Sequence, residues 1–128
     1  MSASLQTTAV VLFAHGSRDP QWRAPMDAVA GEMRQQAPQM AVCCAFLELM
    51  APSLSDAVDA LVKDGHRAIR IVPMFLGIGR HAREDLPALC ADLRQRHPDL
   101  VLDLQPALGE QAEMVQAMAR MALRQDSP

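Results

Sequence analysis

The chain has 128 residues, half of them hydrophobic, and carries a net charge of −3 from twelve lysines and arginines against fifteen acidic residues. That is the length of one domain, enough to bury roughly two-thirds of the unfolded surface without disulfide or metal staples. The well-mixed, slightly acidic charge excludes nucleic acid as a partner, which needs a concentrated basic face, and no apolar stretch approaches the roughly 20 residues of a membrane span.

The run "TAVVLFA" (8–14) reads as a first strand, short, apolar and β-branched. Across 20–37, Met26, Val29, Ala30 and Met33 recur on one helical face, and Pro25 fits only in that helix's first turn. "MAVCCAFLEL" (40–49) is a second strand, in which Cys43 and Cys44 point to opposite faces and cannot readily share a metal. Leu54, Ala57, Val58, Leu61 and Val62 predict a second helix, opened by Ser53 with Asp56 and stopped at Gly65. A third strand, "AIRIVPMFL" (68–76), should bulge or break at Pro73. The loop "GIGRHARED" (77–85) then leads into a helix carrying Leu86, Leu89, Cys90 and Leu93. "DLVLDL" (99–104) is a fourth strand, and a last helix over about 110–124 gathers Met114, Val115, Met118, Met121 and Ala122 on one face. Residues 1–6 and 125–128 are expected to fray.

Four alternations of strand and helix predict a single α/β domain over 1–128, with its core at about 8–124 and a parallel four-stranded sheet flanked by helices. Right-handed crossovers favour the flavodoxin-like order 2-1-3-4. The first and third strands are then neighbours, and a crevice opens at their carboxyl ends. His15 follows the first strand and His81 the third, so topology alone brings the two imidazoles to one crevice. Two histidines and a carboxylate make a metal site with open positions. Glu48, at the end of the second strand, either supplies that carboxylate or sits near the next helix N-terminus.

Arg18, Arg80 and Arg83 lie in the same two loops and form a local basic rim suited to carboxylates or phosphates. Gly77 and Gly79 let the backbone pass close to a ligand, but they do not make G-x-G-x-x-G, and no nucleotide is expected. His66 and His97 complement helix carboxyl ends and are structural. Only 3% of the chain is aromatic, so a flat ligand would rest on aliphatic side chains, methionines and backbone. Cys43, Cys44 and Cys90 have no C-x-x-C spacing and read as free thiols. With no basic start and apolar core of a signal peptide, they indicate a reducing cytoplasm as the location.

"HGSRDP", "FLE" followed by "PSL", "VPMFLGIGRHAREDLP" and "PALGE" together resemble the CbiX and SirB group of sirohydrochlorin chelatases, in its small single-unit form, over about residues 9–123. The resemblance implies a class II chelatase, which inserts a divalent metal into a tetrapyrrole without ATP. Cobalt(II), for cobalamin, is the first expectation; ferrous iron, for sirohaem, and nickel are the alternatives. It implies that His15 and His81 bind the metal and divide or alternate the roles of ligand and base, with Glu48 as their acidic partner. Ser17, Arg18, Gly77, Gly79, Arg80 and Arg83 fall to sirohydrochlorin, whose eight carboxylates suit the arginines. Larger class II chelatases use two similar halves and this chain looks like one, so a two-fold homodimer is expected. A phosphohistidine enzyme would carry arginine before the histidine, where this chain has Ala14. A non-catalytic cobalt- or nickel-binding protein would bind metal without turnover.

Overall fold

The alternating pattern becomes a four-stranded sheet in the computed structural model, which describes residues 6–125; of the ends expected to fray (1–6 and 125–128), all but residues 6 and 125 lie outside them. The strands are β1 (Ala9–Ala14), β2 (Ala41–Phe46), β3 (Ala68–Pro73) and β4 (Val101–Leu104). They run parallel in the order β2-β1-β3-β4, as the crossover rule requires. The helices are α1 (Ala24–Gln36), α2 (Leu54–Lys63), α3 (Arg80–Arg96) and α4 (Ala112–Leu123), with 3-10 turns at Pro20–Arg23 and Leu108–Glu110.

All six residues of β1 are buried, because helices cover the central strand on both sides. Successive side chains alternate between two cores. Val11 and Phe13 join Leu54, Val58, Leu61, Leu86, Cys90 and Leu93 beneath α2 and α3. Val10, Leu12 and Ala14 join Met26, Ala30 and Phe46 beneath α1. Cys43 and Cys44 separate onto these two sides, and all three cysteines are free. Ser53 caps α2 by accepting the Asp56 N–H at 3.1 Å, and Gly65 follows the helix with φ +100°.

The structure departs from the sequence expectations in four places. β2 ends at Phe46, not Leu49: residues 47–51 bend away, and the Phe46 N–H, on the open edge of the strand, donates to the Pro52 carbonyl at 2.9 Å. β3 ends at Pro73, the residue expected to interrupt it. α3 begins at Arg80 instead of after 85, because the Arg83 N–H reaches the Gly79 carbonyl at 2.9 Å and closes a turn earlier. Pro87 is thereby inside α3 at an exposed position, where its missing N–H removes one bond without unfolding the turn. Finally, α4 has the expected apolar stripe, yet no residue of it is buried.

His66 and His97 are structural, as expected. His66 Nδ1 lies 2.8 Å from the Thr8 hydroxyl, at the amino edge of the sheet. His97 Nε2 lies 2.7 Å from Asp59 Oδ1, while Arg96 Nη1 donates to the other Asp59 oxygen at 3.0 Å, clamping α2 to α3. The His97 hydrogen bond, and then Arg96, hold the Asp59 carboxyl below the ordinary carboxylate range. A lowered folded-state value means stability that is present at neutral pH and lost as pH falls through the carboxylate range. Asp59→Asn should therefore cost about 1 kcal/mol or less at pH 7, the group being partly exposed to water. Denaturant titrations should show the gap from wild type closing toward pH 3; a pH-independent gap would contradict the clamp.

Candidate active site

β1 delivers His15 from a fully buried strand into solvent, and the hydrogen-bond ladder continues past the strand end on both sides. The Leu47 and Glu48 N–H groups donate to the Ala14 and His15 carbonyls at 2.8 and 3.0 Å, and the Met74 N–H donates to Phe13 at 2.7 Å. Gly16 turns the chain here with φ +98°, and a Cβ at that position would overlap the Glu48 carbonyl oxygen. Only glycine satisfies both demands. The His15 ring packs on Phe75, with centroids 4.5 Å apart and planes at 39°. Phe75 is buried and edge-packed on Phe13 at 6.0 Å. Its carbonyl accepts the Gly109 N–H at 2.8 Å, where a Cβ would overlap the Leu76 backbone. His15 is thus oriented by packing from below and stays open above.

Glu48 lies in the bend after β2 and is exposed. Ser53, not Glu48, caps α2, and the Glu48 backbone is tied to His15 instead. His81 occupies the first turn of α3 and is exposed, with Arg80 and Arg83 beside it on the helix and not in a loop. Arg80 Nε lies 3.3 Å from Glu84 in a fully hydrated i,i+4 pair, and Arg83 donates to the Ile78 carbonyl at 3.3 Å. Ser17 Oγ accepts the Asp19 N–H at 3.1 Å and Asp19 the Gln21 N–H at 3.0 Å, fixing the loop that presents Arg18. Gly77 and Gly79 have open space where a Cβ would stand, so nothing within the chain demands glycine at either position.

Topology brings His15, Glu48 and His81 to one carboxyl edge, but it does not close them into a ligand sphere. Among the described residues, no three histidine, cysteine, aspartate or glutamate side chains are gathered to hold an ion. The cysteines add none, since burial pushes the thiols of Cys43, Cys44 and Cys90 up and keeps them protonated.

Sequence reasoning missed the apolar setting of this edge. Leu47 and Leu49 are exposed on either side of Glu48, and Leu76, after Phe75, is 72% exposed. Trp22 lies 6.4 Å from Phe46, over whose ring the Arg23 guanidinium sits at 4.9 Å. Phe75 and Gly109 were also missed as supports. Their signal was the motif "PALGE", whose glycine has no local role in its own short turn and packs against another loop.

The model of the CbiX family matches residues 9–124. The sirohydrochlorin cobaltochelatase of Methanopyrus kandleri is 35% identical over 81 residues, 63% of this chain and 57% of that protein. The sirohydrochlorin ferrochelatase of Bacillus subtilis is 32% identical over 73 residues, covering 57% of this chain and 28% of the relative. The matches thus span little more than half the length of the cobaltochelatase and less of the ferrochelatase. Among solved structures, one described as a CbiX protein of cobalamin biosynthesis from Marinobacter aquaeolei VT8 superposes with a TM-score of 0.77 at 28% identity, covering 89% of this chain and 92% of that one. The sirohydrochlorin chelatase SirB of Bacillus subtilis subspecies spizizenii, solved in complex with cobalt, gives a TM-score of 0.75 at 27% identity, covering 91% of this chain and 50% of SirB.

The two backbone approaches make a direct prediction. Gly16→Ala and Gly109→Ala each force backbone apart at the site and should destabilise by about 1–3 kcal/mol. Gly31→Ala, in the interior of α1 with nothing near its Cβ, should instead stabilise by about 0.5–1 kcal/mol. Urea midpoints of the three variants distinguish these signs, and a neutral Gly109→Ala would remove the support assigned to that turn.

Proposed function

The chain belongs to the CbiX family, and from that premise we propose that it inserts a divalent metal into sirohydrochlorin without ATP, as a two-fold homodimer. Cobalt(II) is the proposed metal: the sirohydrochlorin cobaltochelatases of Methanopyrus kandleri and three methanogen relatives match over 54–62% of their length, against 28–37% for the ferrochelatases. The observation that carries the reading is the carboxyl edge itself. An exposed imidazole ends the central strand, a second opens α3, and exposed leucines and arginines surround them.

The chemistry divides among these groups. Insertion removes two pyrrole N–H protons and exchanges the ion's water for ring nitrogens. Imidazoles are good ligands for cobalt, iron and nickel and can accept protons near neutral pH. His15 and His81 hold the ion above the ring and take the protons as the ring nitrogens replace them. An incomplete ligand set suits an ion that must leave, since each missing protein ligand is a position the macrocycle can occupy. Glu48 contributes a negative charge that favours the incoming cation. Leu47, Leu49 and Leu76 rest against the apolar faces of the ring, while Arg18, Arg80 and Arg83, with Ser17, meet its peripheral carboxylates. The open positions of Gly77 and Gly79 allow the ring to approach the backbone. A single edge offers one wall to a macrocycle more than 10 Å across, and a second copy supplies the other.

Anaerobic incubation with sirohydrochlorin and cobalt(II), without ATP, tests the reading by absorbance; no acceleration over the spontaneous rate overturns it, and stoichiometric metal uptake without turnover leaves only a binding protein. His15→Ala and His81→Ala should each lower turnover about 100-fold or more with the fold intact, while His66→Ala and His97→Ala retain it. Arg18→Ala should raise KM more than it lowers kcat, because rim contacts bind substrate and transition state alike. Added salt should shrink that KM difference through screening; a loss in kcat alone would instead assign Arg18 to the chemistry.

A further inference from the structure

The chain has one tryptophan and no tyrosine, and the fold brings that tryptophan to the carboxyl edge. Trp22 stands in the 3-10 turn Pro20–Arg23, just ahead of α1, and is 39% exposed. Its ring packs on Phe46, the last residue of β2, which pairs in register with Ala14, the residue before His15. One strand spacing, about 4.8 Å, and one aromatic contact of 6.4 Å thus separate the end of β1 from the indole. His15 packs on Phe75, of the core beneath α2 and α3, and His81 opens α3, whereas Phe46 belongs to the core beneath α1. The imidazoles and the indole therefore lie toward opposite sides of the sheet, and a flat ligand that meets both must lie across its end.

The turn holds this exposed ring still. The Trp22 N–H donates to the Asp19 carbonyl at 3.0 Å, and the Asp19 carboxylate caps the turn by accepting the Gln21 N–H at 3.0 Å. Beside it the Arg23 guanidinium lies over the Phe46 ring at 4.9 Å and donates to Asp27 at 3.0 Å, so Arg23 is committed to the support of this shoulder. Trp22 and the exposed Arg18 are the groups left facing out. An aromatic ring already fixed in place loses little freedom when a flat molecule stacks on it. Tryptophan adds an N–H donor to its apolar face, and Arg18 adds a positive charge suited to carboxylates.

We propose that Trp22 anchors the outer part of sirohydrochlorin. An outer pyrrole rests on the indole while His15 and His81 hold the ion at the centre of the ring, so the macrocycle lies across the ends of β1 and β2. Arg18, four residues before Trp22, meets the carboxylate arms of that pyrrole. This inference rests on the sirohydrochlorin reading and adds how the ring is oriented on the edge. The indole contact is made alike with the metal-free ring and in the transition state of insertion, so Trp22 governs binding and not the chemical step.

A single tryptophan gives a single indole N–H resonance in the magnetic resonance spectrum of the nitrogen-labelled chain, assigned by its loss in Trp22→Phe. Anaerobic titration with metal-free sirohydrochlorin should shift it through the ring current of the macrocycle, while the His66 and His97 amide resonances at the opposite edge stay in place. Trp22→Ala should raise KM for sirohydrochlorin about tenfold, the scale of one lost aromatic stack, with kcat within about twofold of wild type. Trp22→Phe should recover most of that loss, and the affinity for cobalt(II) alone should be unchanged in both variants. A wild type that neither binds sirohydrochlorin nor accelerates insertion overturns the chelatase reading together with the anchor. An active wild type whose indole resonance does not move, or whose Trp22→Ala variant keeps the wild-type KM, overturns the anchor and leaves the reading. A weakened cobalt(II) affinity, or a kcat loss at unchanged KM, overturns it as well, assigning Trp22 to the metal site or the chemistry. Should circular dichroism show that Trp22→Ala loses its fold, Trp22→Leu, which keeps an apolar cover on Phe46, is read in its place; a KM raised about threefold or more is expected, and an unchanged KM overturns the anchor.

Discussion

At the carboxyl edge the Gly16 backbone passes the Glu48 carbonyl so closely that no side chain fits between them, and the geometry of the edge depends on that contact. It fuses the ends of β1 and β2 into one unit, so His15 and Glu48 cannot move independently. The opposing support comes from Phe75, gripped by Phe13 below and by the Gly109 turn beside it. Among the described residues His15 is therefore held by shape, with no hydrogen bond to its ring nitrogens. That distinction matters chemically, because a ring nitrogen already bonded to a carboxylate or carbonyl is committed, whereas a ring fixed through its face keeps its nitrogens available. The same residue type at the opposite edge shows the contrast. His66 and His97 spend ring nitrogens on Thr8 and Asp59 and do structural work.

The two histidines of the edge have different footings. His15 ends a strand buried on both sides, while His81 stands in the first turn of a helix reached through residues 74–79. Their separation is set by that connecting segment, which has two glycines under no internal steric demand. His15 therefore stands on a rigid footing, whereas His81 is reached through a segment whose glycines meet no neighbouring atom.

Much of this was legible from residue order because it follows from local chemistry and connection rules. Apolar runs with helical segments between them required parallel strands, and handedness required β1 beside β3, which brings His15 and His81 to one edge. The α2 cap could be read because Ser53 and Asp56 are neighbours in sequence. What could not be read involved distant backbone. The Phe46 N–H, on the open edge of β2, is met by the Pro52 carbonyl, and Gly109 matters only because Leu76 passes over it. The α3 start differs because "GIGRHARED" reads as a loop, whereas the Arg83 N–H closes a turn on Gly79 within it. The α4 stripe was read correctly as apolar; periodicity reports that a helix has a face to bury and says nothing about which surface buries it.

The exposed large apolar residues sort by position into two groups, Val29 on α1 apart. Trp22, Leu47, Leu49 and Leu76 lie about the histidine edge, while Val115, Met121 and Leu123 on α4 and Val101 on β4 lie away from it. A fold with two filled cores and no buried polar side chain among the described residues has no internal need to leave these residues outside. Contiguous exposed apolar surface marks a binding surface, and the two groups call for different occupants. The first has the exposed Arg18, Arg80 and Arg83 in the adjoining loop and helix turn, and His15 at its centre. The turn carrying Gly109 belongs to both, supporting Leu76 on one side and leading into α4 on the other.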